Sequence, residues 1–102
     1  MYGSAELYVL EVEVVALESR DFPGWARCRF HDVSGGAHDL VEKLPILGVH
    51  SADSLPAATQ VRCVVIEASD DAILIDLSRP DGIVSEQGES LFRVTPSHVH
   101  AA

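Results

Sequence analysis

Apolar and polar residues alternate along most of the chain with a period of two, the mark of strands with one face buried in a sheet. In residues 8–16 the set Tyr8, Leu10, Val12, Val14 and Ala16 is apolar throughout, while Glu11 and Glu13 interrupt the alternate set. This predicts a long first strand with one wet face, able to bend around a barrel or bridge two sheets. Asp21-Phe22-Pro23-Gly24 supplies the turn that ends it. Two hairpins follow. Gly35-Gly36 places the first turn, because both glycines accept positive φ. That register sets Phe30 opposite Val41 and Arg29 opposite Glu42, with Asp32 against Asp39 as its one unfavourable pair. The second turn falls at residues 69–72, which sets Val64 opposite Leu77, Ile66 opposite Ile75 and Ala68 opposite Ile73. Residues 61–66 are apolar on both faces apart from Arg62, so they read as a central strand covered twice.

A last strand is predicted over residues 91–95, ended by Pro96, and residues 97–102 read as a frayed tail. No amphipathic helix is visible. Residues 46–59 lack a strand pattern and read as a crossover, with Ser51 to Ser54 able to cap one helical turn. The predicted fold is all-β: a small antiparallel barrel of about six strands, or a strongly bent sandwich, built from two similar hairpins and a long N-terminal strand. Residues 1–96 form one domain in this reading. Offset by 35, Arg27-Cys28 meets Arg62-Cys63, Ser34 meets Ser69 and Pro45 meets Pro80, which suggests a duplicated hairpin.

Composition narrows the partners. The chain has 102 residues and a formal net charge of -9, with 47% hydrophobic and 23% charged residues. That is a globular profile, and its charge repels phosphate, so nucleic acid and anionic membrane surfaces are excluded as expected partners. The first residues carry neither a basic nor an apolar stretch of the kind a signal peptide needs. Cys28 and Cys63 each sit in an apolar run, as buried thiols do. A cytoplasmic, reduced setting is the expectation, with no cofactor.

Candidate chemistry is sparse. His31 and His38 share a face in the Gly-Gly register, and His98 and His100 share one if the tail is extended, but no closed set of metal ligands is visible. Asp32 and Asp39, if opposed, would raise one another's pKa or draw a cation, and with His38 they are the residues a metal-assisted enzyme would use. No nucleophile elbow, phosphate loop or activated cysteine occurs, so no catalytic residue is assigned. Trp25 reads either as a plug for the barrel end or as an anchor for a partner. Leu7, Val9, Val15 and Leu17 make the second face of the first strand apolar, as an interface would, and a homodimer through it is expected.

The segments Phe22-Pro23-Gly24-Trp25 and Glu42-Lys43-Leu44-Pro45, with Cys28, Asp32, Gly36, His38, Arg79-Pro80, Gly82, Ser85, Gly88 and Phe92, resemble a family of small bacterial proteins with no assigned activity. The likeness runs over nearly the whole chain. It departs at Gly35-Gly36-Ala37, where a longer polar residue would follow the glycine. It implies a bacterial, cytoplasmic, single-domain protein. Where the family segments meet the crossover, a binding rim is expected from Trp25, Arg29, Glu42, Lys43 and Arg79. The functional expectation is a non-catalytic acidic β module that binds another protein or itself, as an inhibitor or immunity protein does. A small-ligand-binding barrel is the alternative.

Overall fold

The computed structural model describes residues 7–43 and 55–102. Its strands form one antiparallel sheet curled into a half-barrel, as the period-two pattern predicts. They are β1 (Tyr8–Ser19), β2 (Trp25–His31), β3 (Ala37–Lys43), β4 (Ala57–Ala68), β5 (Ile73–Asp76), β6 (Leu91–Val94) and β7 (Val99–Ala101). The order across the sheet is β3-β2-β1-β4-β5-β6, with β7 beside β1. The interior is filled by side chains. Leu10, Val14, Leu40, Val61, Ile75, Leu77 and Ile83 are essentially inaccessible to solvent, with both cysteines among them. β4 lies between β1 and β5, the central place its apolar run predicts.

The curl brings the two ends of the sheet together. The Val33 N–H donates to the Arg93 carbonyl at 2.8 Å, and the Glu86 N–H donates to the Asp39 carbonyl at 3.1 Å. Inside this seam Phe92 of β6 meets Phe30 edge-on, with centroids 5.0 Å apart, and meets His38 at 4.7 Å. The β2–β3 hairpin is thereby docked on β6 by packing as well as by backbone.

Register departs from the sequence expectation in three places. In the first hairpin Arg29 pairs with Asp39 and Phe30 with His38, rather than with Glu42 and Val41. The turn is centred earlier than Gly35-Gly36 because Asp32 organises it. Its Oδ1 accepts from Ser34 N–H at 2.8 Å and from Gly36 N–H at 3.0 Å. Gly35, at φ +89°, then closes the three-residue loop. The predicted clash of Asp32 with Asp39 is absent, since the two lie on opposite faces, as do His31 and His38. Gly35→Ala meets no neighbouring atom, so its cost is backbone strain alone. Urea unfolding should show a loss of about 1–2 kcal/mol. A neutral result would mean that the loop adopts another turn.

In the second hairpin Ala68 faces Ile73 as expected, but a bulge at Ile66 moves Val65 opposite Ile75 and Val64 opposite Asp76. Ile66 consequently turns half into solvent. The offset of 35 would carry the pair Arg27–Val41 onto Arg62–Asp76, whereas Asp76 pairs with Val64, so the two hairpins do not share a register. In β1 a bulge at Val15 reverses the faces. Ala16 now stands beside outward Arg27, and Leu17 stands beside buried Ala26. Leu7, Val9, Val15 and Leu17 therefore do not form one face.

The tail is ordered as well. After a 3-10 turn at Pro96–His98, β7 pairs with β1, setting Val99 against Leu10, and the Ala102 N–H donates to the Leu7 carbonyl at 3.1 Å. Residues 57–59, expected in the crossover, begin β4. The expected helical turn at residues 51–54 lies outside the described residues.

Candidate functional site

On β1 the outward side chains before the bulge are Val9, Glu11 and Glu13, and their β4 partners are Arg62, Gln60 and Ala58. The opposite edge of β1 is shared. β2 pairs with it from Glu13 onward, and β7 pairs with it from Tyr8 to Leu10. Glu11 and Val12 fall between the two ladders. A groove of about 960 Å3 opens over this notch, walled by Arg29 and His31 of β2, Gln60 and Arg62 of β4, and His98. Its size is in the range of ligand and peptide sites. The Glu11 carboxylate contacts the Nε2 of His100 on β7.

Electrostatics separate the groove's walls from its floor. Arg62 is gripped by Asp81, with Nε at 3.0 Å and a second guanidinium nitrogen at 2.5 Å. Arg29 is gripped by Asp39 at 2.7 and 3.1 Å. Arg27, which sequence reasoning passed over, reaches Glu18 at 2.7 Å, Asp39 at 3.1 Å and Glu86 at 2.7 Å. The Arg29 and Arg27 guanidiniums hold the Asp39 carboxyl below its ordinary range, and burial opposes them only partly. These cations are neutralised within the chain. On the floor, Glu11 meets His100, and Glu13 stands directly opposite Arg29 across the β1–β2 ladder. The signal for this network was present in sequence: two arginines two residues apart, facing acidic residues on the adjoining strand.

The five residues expected to form a binding rim do not converge. Trp25 faces Lys43 across β2 and β3, with Lys43 Nζ 5.7 Å from the ring centroid, a cation–π contact. Arg29 shares their outward face but is taken up by Asp39. Glu42 stands on the other face opposite buried Ala26, and burial raises its pKa against the opposing pull of Lys43. Arg79 turns back onto Asp76 at 3.1 Å.

Nor does a catalytic set assemble among the described residues. His38 Nε2 lies 2.7 Å from Asp32 Oδ2, and its ring is packed on Phe30 and Phe92. The hydrogen bond to His38, helped by the Gly36 and Ser34 amides, keeps Asp32 below its usual pKa, opposite in sign to the raised pair expected from facing Asp39. Burial pushes the Cys28 and Cys63 thiols up to about 12, which leaves no thiolate at neutral pH. No group of three His, Cys, Asp or Glu side chains is arranged to hold a metal among the described residues. No helix there is long and apolar enough to cross a membrane.

No family model matches the chain. No curated protein and no solved structure matches it either.

Proposed function

We propose that the protein is a non-catalytic acidic β module whose task is to bind a basic protein partner. The observation that carries this reading is the fate of its cations. Of the seven Lys and Arg, five (Arg27, Arg29, Arg62, Arg79 and Arg93) are ion-paired to the chain's own carboxylates, and Lys43 rests on Trp25. Asp21, Asp70, Asp71 and Glu89 have no ion pair among the described residues. The outward field is therefore anionic, which steers positively charged partners and repels copies of itself. A filled interior supports the same reading over a ligand held inside the barrel.

Two measurements test it. Light scattering on a gel-filtered sample should give a monomer, and titration with a decalysine peptide should show binding that weakens at least about tenfold between about 50 and 500 mM salt, as screening requires. A stable dimer would move the reading to self-assembly through Leu7 and Val9. Absent or salt-insensitive binding would overturn it.

A further inference from the structure

We infer that the outward face of β4, β5 and β6 is the surface on which that partner docks, and that it takes a basic amphipathic helix. The inference rests on the reading above and adds the place and the form of the occupant.

An antiparallel sheet that faces water ordinarily carries polar residues on its outer side. This end of the sheet does not. Ile73, Ile75, Phe92 and Val94 are buried in the core, so Leu74 and Leu91, which alternate with them, point outward. The bulge at Ile66 adds a third apolar side chain on the solvent side. Leu91 is 56% exposed and Ile66 45%. The registers hold the three together. Leu74 pairs with Arg93 and Asp76 with Leu91, which sets Leu74 diagonal to Leu91, and Ile66 sits beside the Glu67–Leu74 pair. β4 thus has the two apolar faces that its sequence predicts, with the core on one and solvent at Ile66 on the other.

Charge selects the occupant. The cations of this face are taken: Arg93 by Glu67 at 3.4 Å and Arg79 by Asp76 at 3.1 Å. The chain sets further carboxylates beyond both ends of the patch, Asp70 and Asp71 in the turn before β5 and Glu89 two residues before Leu91. None of these three has an ion pair among the described residues. An apolar patch bounded by unpaired carboxylates fits an apolar stripe bounded by Lys and Arg, and it repels a second copy of itself. The patch lies on the face of the sheet, so it offers no backbone edge to a strand. A helix presents such a stripe at positions three and four apart and packs on a sheet face as a second layer.

The test uses a fluorescent peptide of Leu and Lys at helical spacing, followed by anisotropy, with the same residues in strict alternation as its comparison. Leu91→Ser with Ile66→Ser should weaken binding of the helical peptide at least about tenfold and leave decalysine binding within about twofold. Asp70→Asn with Asp71→Asn should weaken the helical peptide at least about threefold at low salt. Phe22→Ala removes an exposed ring from the β1–β2 turn and should change neither affinity. Urea curves confirm folding, and if the double serine variant does not fold, Leu91→Ala alone should still weaken the helical peptide at least about threefold. If the wild type binds decalysine but the apolar variants bind the helical peptide undiminished, this surface is wrong and the basic partner stands. If the alternating peptide binds as tightly as the helical one, the occupant is no helix and the inference fails. Self-association of the wild type that Leu91→Ser abolishes would give the face to a second copy and also overturn it. If the wild type binds neither decalysine nor the helical peptide, both readings fall together.

Discussion

Phe92→Ala should destabilise the protein by about 3–5 kcal/mol in urea unfolding, a large share of what a domain of this size has. Phe92 is buried in β6, pairs with Ile75, and meets both Phe30 and His38. Truncation leaves a void at the seam where the sheet closes. The loss should be structural in a particular way. The Val33 N–H, bonded across the seam to Arg93, should exchange with solvent far faster than the amides of β4. Phe22→Ala serves as the control, because that ring is 98% exposed and its removal should cost less than about 0.5 kcal/mol. A loss below about 1 kcal/mol for Phe92→Ala would mean that backbone bonding alone closes the sheet.

Asp76→Ala should cost about 2–3 kcal/mol at neutral pH. The carboxylate is nearly inaccessible on the outward side of β5, and it accepts from Ser78 N–H at 2.9 Å, Ser78 Oγ at 2.6 Å and Arg79 Nε at 3.1 Å. Burial alone would raise its pKa. The Ser78 hydrogen bonds and the Arg79 charge outweigh that and hold it below the usual carboxylate range. A pKa lower in the folded than in the unfolded chain means that the unfolded chain takes up the proton first. The contribution is therefore complete above about pH 5 and fades as the pH falls through the unfolded value near 3.9 and on to the folded one. Unfolding free energies of wild type and variant should converge as the pH falls below about 4. A gap unchanged over that range would show that the loss comes from packing.

The elements were legible in the sequence because the strands that alternate do so on a sheet with one covered face. Tyr8 to Val14 declare their faces through Glu11 and Glu13. Past that point Val14, Val15, Ala16 and Leu17 are all apolar, so parity carries no information and the bulge is invisible. The first hairpin misled through its glycines. They suggest a turn centred on themselves, while Asp32 draws the centre back to Ser34 by bonding the amides of Ser34 and Gly36. The like-charge pair that the glycine register required was the available warning. β7 was hidden because a three-residue strand with one buried residue, Val99, has no period to detect. The groove was half legible. Its floor follows from alternation in β1, whereas its walls depend on where β2 and β7 leave that strand, which only the folded registers reveal.

The curl of the sheet has its own consequence. β1 carries two register shifts against β2, and β4 carries one against β5. Each shift is a surplus residue on one side of a ladder, and each tightens the local twist. The shape is thus written partly as chain length and not as residue chemistry. Three residues too many for straight ladders bend the sheet until its ends meet. Deletion of Val15 should be read in that light: it takes away one unit of curvature while leaving Ala16 opposite Arg27 and Leu17 opposite Ala26, so the faces of the strand stay as they are and only the bend is lost.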